Sequence, residues 1–297
     1  MAHQIVCFGE VLWDVLPTES IAGGAPMNVA IRLQSLGVSS AVISKIGSDA
    51  LGQTLVDIIS DKKVATDLIQ LDHLLPTGEV LVHLDAKGSA TYDIVYPSAW
   101  DGILVSEANT EAVKAADALV FGSLACRDQV TKSTLFELLK SAKYKIFDVN
   151  IRPPFYSTEL LLELMHLSDF IKLNDDELLE VASKLGSKST DIEENIEFLA
   201  QLLTQTKTIC ITKGDQGAVL YQNNTFYSHN GYKVEVADTI GAGDSFLAAL
   251  LSKVLYQDDC NEALEYACAV GALVASKKGA NPVITSDQIF EIIHREK

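Results

Sequence analysis

Residues 236–255, VADTIGAGDSFLAALLSKVL, place Gly241, Ala242, Gly243 and Asp244 at the mouth of an apolar, helix-like run. Glycines at a helix start let the backbone approach a ligand, and the first-turn N–H groups have no partner inside the helix. Together with the positive end of the helix dipole they form an anion site. An aspartate in that position repels the anion it helps to frame. The conflict disappears if the carboxylate takes a proton from a group that attacks the anion. Aspartate is also a common N-cap and Gly-Ala-Gly a common loop, so these residues alone leave capping and catalysis both open.

Two other phosphate-handling motifs are excluded or weak. A Walker loop ends in Gly-Lys, and the chain contains no such dipeptide. A dinucleotide fingerprint needs a third glycine where Phe246 stands and belongs after the first strand, which argues against a nicotinamide dehydrogenase.

Composition narrows the partners. The formal charge of −17, from 23 Lys and Arg against 40 Asp and Glu, disfavours nucleic acid or an anionic membrane surface. An anionic substrate must therefore be held by local donors and metal ions. The opening segment MAHQIVCFGEVLWDVLP lacks the pattern of a signal peptide, and the longest apolar run, YACAVGALVA (266–275), is too short to span a bilayer. The 5 cysteines form no CxxC pair and fall in apolar runs, as buried free thiols of a reducing, cytoplasmic compartment do. The histidines also lack zinc-ligand spacing.

The elements that must position Asp244 follow an alternating pattern. Strand-like runs at 5–9, 40–47, 117–122 and 145–150 alternate with helix-like runs at 26–37, 49–63, 127–143 and 158–168. This pattern predicts a mostly parallel sheet with helices on both faces. Strands at 208–212, 217–222 and near 225–229 follow, then helices starting near Gly241, Asn261 and Ser286. Residues 78–101 differ, with two alternating runs around the turn DAKGS (85–89), a hairpin signal. Lacking any linker-like segment, the chain reads as one domain over 1–297, with a discontinuous β lid from about 11–22 and 78–101.

Several separated motifs, GGAPMNVA (23–30), KIGSDALG (45–52), DVNIR (148–152), NDDE (174–177), TKGDQG (212–217) and DTIGAGDSF (238–246), occur in an order and spacing that resemble the ribokinase-like, or PfkB, carbohydrate kinases. The resemblance covers essentially the whole chain. GGAPMNVA is similar to the fructokinase form of the sugar motif, and GSATYDIVYPSAWD is a looser likeness to the lid of those enzymes.

The resemblance implies a kinase that transfers phosphate from ATP to a terminal sugar hydroxyl, most simply D-fructose to fructose 6-phosphate. Asp244 becomes the general base, and the N–H groups of Ile240, Gly241, Ala242 and Gly243 the anion hole. Arg152 is placed near the transferred group, and Asp14, Gly23, Gly24 and Asn28 at the sugar. Asn174 and Glu177 resemble the family's NxxE motif, acting through Mg2+ and its waters, although Glu at N3 after an Asn cap is equally a helix-start device. Thr212, Lys213, Gly214 and Gly217 fall along the nucleotide, Gly279 and Asn281 at adenine, and Asp238 at a monovalent cation such as K+. A homodimer, formed through the lid, is also implied. Ribose, 2-keto-3-deoxygluconate and nucleoside kinases are alternatives within the fold. A sugar-sensing protein without catalysis is the alternative from another class, disfavoured by the intact Gly-Ala-Gly-Asp.

Overall fold

The computed structural model describes residues 4–84, 90–255 and 259–295, so the turn at 85–89, read above as a hairpin tip, lies outside the described residues. The chain divides into two compact units, Met1–Phe121 with Ala125–Lys143, and Gly122–Leu124 with Tyr144–Lys297.

The first unit runs β1 (Gln4–Phe8), β2 (Leu12–Val15), β3 (Ser20–Gly23), α1 (Ala25–Ser35), β4 (Ser39–Gly47), α2 (Ala50–Asp61), β5 (Ile69–Asp72), β6 (Gly78–Leu84), β7 (Ala90–Ile94), α3 (Glu107–Ala115), β8 (Ala118–Gly122) and α4 (Gln129–Leu139). Strands β8, β1, β4 and β5 pair in that order, all parallel. Successive strand residues point to opposite faces, yet Ile5, Val6, Cys7 and Phe8 are all fully buried. Both faces of β1 are therefore covered, which explains its unbroken apolar run. A second sheet has the order β3-β2-β6-β7. In it β2 pairs antiparallel with β3 and parallel with β6, and β6 pairs antiparallel with β7. The segment after the first strand thus supplies β2, which pairs with β6, and β3 beyond it.

The second unit runs β9 (Lys145–Asp148), α5 (Thr158–His166), β10 (Phe170–Asn174), α6 (Asp175–Lys184), α7 (Ile192–Leu202), β11 (Thr208–Thr212), β12 (Ala218–Gln222), β13 (Thr225–His229), α8 (Ala242–Val254), α9 (Cys260–Ala275) and α10 (Ser286–His294). Strands β9, β10 and β11 are parallel, and β12 and β13 continue antiparallel from β11. Helix α8 buries Ser245 through Leu251 without a break and packs along α9. This continuous apolar sequence makes α8 a core helix rather than an amphipathic surface one.

Two departures from the expected elements bear on function. The strand expected over 145–150 ends at Asp148, because Asn150 takes a left-handed φ of 39° and turns the chain. Strand β10, between α5 and α6, was not anticipated, because its five residues interrupt their apolar run with Lys172.

Candidate active site

The second unit brings the loop before α8 and the loop after α9 together at the mouth of α8. Gly241 is its N-cap, with φ 72° and no side-chain cap, and Asp244 sits in the first turn, half-buried. A Cβ at Gly241 would stand 2.6 Å from the Ala280 carbonyl oxygen, so glycine is required both for the φ and for the close approach of the loop after α9. Asp238 ties the two loops together. Its Oδ1 accepts from the Ile240 N–H at 3.0 Å and its Oδ2 from the Gly279 N–H at 3.0 Å. The N–H of Ala242 donates to the Thr239 carbonyl at 3.2 Å. Of the N–H groups expected to face an anion, those of Ile240 and Ala242 are thus engaged inside the loop.

Lys172 and Asp148 lie beside this helix mouth. They sit opposite one another on β10 and β9, and Lys172 Nζ donates to Asp148 Oδ1 at 2.9 Å and Oδ2 at 3.2 Å. Both side chains are more than nine-tenths buried, at 8% and 4% exposure. Removing the lysine from such a pair costs about 3–5 kcal/mol, because the buried carboxylate is left uncompensated.

Asn174 and Glu177 form a full capping box at the start of α6. Asn174 Oδ1 accepts from the Glu177 N–H and Glu177 Oε2 from the Asn174 N–H, both at 2.8 Å. Glu177 Oε1 accepts from the Ile151 N–H at 2.8 Å. Burial pushes the Glu177 carboxyl up, against the opposing pull of Lys172 and of these N–H donors. Arg152, the next residue, is exposed and donates to the Ile151 carbonyl at 3.0 Å. Thr212 ends β11, and Lys213 closes the following turn by donating its N–H to the Gly217 carbonyl at 2.7 Å. Gly214 is exposed on that turn, while Asn281 is half-buried on the loop after α9.

In the first unit the expected sugar residues converge on the mouth of α1. Asp14, half-buried on β2, lies so close over Gly23 that a Cβ there would overlap Asp14 Oδ2. Gly24, the N-cap of α1, has φ 112°, and a Cβ on it would run into the Glu10 carbonyl. Asn28 is buried at 4% exposure one turn into the helix.

A model of the pfkB family of carbohydrate kinases matches residues 2–287. The chain belongs to this family. A fructokinase of Solanum tuberosum is 31% identical over 307 residues, covering 95% of this kinase and 93% of its own length. Among solved structures, a fructokinase of Xylella fastidiosa with bound ATP matches at TM-score 0.88 and 25% identity, over 100% of this kinase and 99% of that chain. An uncharacterized sugar kinase of Pyrococcus horikoshii in complex with ATP matches at TM-score 0.83 and 27% identity, over 97% and 99% of the two chains. The architecture of the kinase is the ribokinase-like α/β fold that its motifs imply.

Sequence reasoning missed three charged groups of this kinase. Lys172 had a usable signal, since a lysine inside an apolar strand must find a partner or lose its charge. Glu10, buried at 4% exposure, accepts from the Ala25 N–H at 3.3 Å at the start of α1. Arg127 makes a paired contact with Asp101, Nε to Oδ1 at 2.6 Å and Nη2 to Oδ2 at 2.7 Å. It also donates to the Val95 carbonyl at 2.7 Å and lies 3.8 Å from the Trp100 ring centre. No sequence spacing links residue 127 to 95–101.

Proposed function

We propose that this carbohydrate kinase transfers the γ-phosphoryl group of ATP to O6 of D-fructose, with Asp244 as general base. The observation that carries the reading is the mouth of α8. Its cap is a left-handed glycine without a side chain, and a partly exposed carboxylate stands in the first turn. The fructokinase relatives support fructose as the acceptor.

In this reading Asp244 accepts the hydroxyl proton as the O–P bond forms. The N–H groups of Gly241 and Gly243, with the dipole of α8, meet the charge on the transferred group. Arg152 supplies a guanidinium to the phosphate oxygens. The turn Thr212–Gly217 and the loop carrying Gly279 and Asn281 take the nucleotide. Asp14, Gly23, Gly24 and Asn28 hold the sugar hydroxyls. A sugar lacking one of those hydroxyls leaves a buried group unpaired, at a cost of about 1–3 kcal/mol.

Magnesium is part of this reading as the companion of the triphosphate, where it neutralises charge. Glu177, whose two oxygens each accept one backbone N–H, keeps acceptor sites for the waters of the ion. Asp238 fits a supporting role at a monovalent cation such as K+, since it fixes the two loops whose carbonyls would hold the ion. The working form in this reading is a cytoplasmic homodimer.

The test supplies ATP, magnesium and fructose, in potassium and in tetramethylammonium buffers, and identifies the product by phosphorus-coupled NMR. Fructose 6-phosphate is expected, formed faster in potassium. Fructose 1-phosphate would reverse the sugar's orientation. Rapid turnover of ribose or 2-keto-3-deoxygluconate, with none of fructose, would replace the acceptor.

A further inference from the structure

A lysine buried in a parallel strand loses much of its hydration, and one carboxylate within hydrogen-bonding distance is enough to balance its charge. Lys172 has that carboxylate in Asp148, its register partner on β9. Its position is nevertheless more specific than an ion pair requires. It stands near the carboxyl end of β10, where its Nζ would lie 3.4 Å from a Cβ placed on Gly243, one residue before Asp244. The ammonium thus lies against the first turn of α8, at van der Waals distance from where a side chain at 243 would begin.

The groups facing Lys172 come from every element around it. Asp148 faces it from β9, Glu177 from α6 and Asp244 from α8, while Cys210 is its register partner on β11 and Cys268 of α9 lies near Cys210. Burial works against the lysine's charge, but Asp148, Glu177 and Asp244 outweigh it and hold the ammonium protonated, above its ordinary range. Burial pushes the Cys210 thiol up and Cys268 up to about 12, so neither adds a negative charge at neutral pH. One cation therefore serves three carboxylates, and Asp244 is the only one of the three assigned to proton transfer.

We propose that Lys172 is a positioning residue of the kinase reaction, whose ammonium stabilises the carboxylate form of Asp244 and so sets the acid limb of the rate profile. The inference rests on the reading of Asp244 as general base. An opposite charge within about 4–6 Å favours an ionised carboxylate by roughly 1–3 pH units, and a like charge disfavours it. Asp148 therefore works against Asp244, both by its own charge and by competing for the ammonium.

The test compares kcat against pH, at saturating substrates, for the wild type, Asp148→Asn, Lys172→Arg and the double variant Lys172→Met with Asp148→Asn. The double variant removes the pair as a unit and leaves no unpaired partner of it in the core. Its acid limb should move up by less than a lone ammonium would give, because one opposite and one like charge leave together, that of Asp148→Asn should move down, and Lys172→Arg should stay near the wild type. A purely structural pair would lower kcat without moving the limbs in opposite directions. If the double variant does not fold, the downward shift in Asp148→Asn decides, and an unmoved limb overturns the proposal. Asp244→Asn separates the two failures. Retention of kcat there refutes the base itself, whereas loss of kcat with unmoved limbs in the other variants refutes only the role of Lys172.

Discussion

At the scale of single residues, the site depends on what each carboxylate is free to do. Glu177 is enclosed by the N–H groups of Ile151 and Asn174, and Asp238 by those of Ile240 and Gly279. Both therefore act as joints between loops. Asp148 is held by the Lys172 ammonium. Asp244 is half-buried in the first turn of α8, past the cap position that Gly241 occupies, and is the carboxylate proposed as the base. Asp244→Asn keeps the shape and removes proton acceptance. We expect kcat to fall by about 10²- to 10⁴-fold while sugar and ATP dissociation constants change little, as measured by turnover and calorimetry. Turnover near the wild-type rate would transfer the base role elsewhere.

At the scale of elements, the second sheet of the first unit carries part of the proposed sugar site within its own strands. Asp14 lies on β2 and Gly23 on β3, and β2 is hydrogen-bonded to β6. A sugar held by Asp14 should therefore steady the sheet as a unit. Beyond the far end of β7, the chain is anchored by Arg127, which grips Asp101 and the Val95 carbonyl and stacks on Trp100. That buried clamp fixes the chain that leaves the sheet. Saturating fructose should slow amide exchange in β2, β3 and β6 and leave the Arg127 anchor unchanged, as read by mass spectrometry. Equal exchange with and without sugar in β2 and β3 would remove both the lid and the assignment of Asp14.

At the scale of the whole molecule, the same sheet ends in β3 on one side and β7 on the other, strands that no further strand pairs among the described residues. Tyr92 on β7 and Tyr96 just beyond it are 62% and 55% exposed. An open edge flanked by aromatic side chains is the surface a second copy would cover. We expect sedimentation at micromolar concentration to show a dimer, and Tyr92→Glu to shift it towards monomer while the fold is retained by circular dichroism. A wild-type monomer at that concentration would assign the edge another role. The net charge of −17 gives copies a mutual repulsion, so the dimer should tighten as salt screens it.

Much of the fold was legible because its signals are local. Alternation of short β-branched runs with amphipathic ones marks the parallel strands and their helices, and the glycines at 23–24 and 241–243 mark helix mouths where a backbone must approach something closely. The sequence by itself determined the family, the α/β class and the candidates Asp14 and Asp244, since these rest on residue type and order. Tertiary structure alone decided which groups are already spent. Nothing in DTIGAGD says that Asp238 will take the Ile240 and Gly279 N–H groups, or that the Ala242 N–H will turn back to Thr239. Nothing in DVNIR or FIKLN says that Asp148 and Lys172 meet, because strand pairing joins residues 24 positions apart. The reason is physical. A hydrogen bond or buried ion pair depends on distances of about 3 Å and on exclusion of water, and both are set by packing between elements that are remote in the chain.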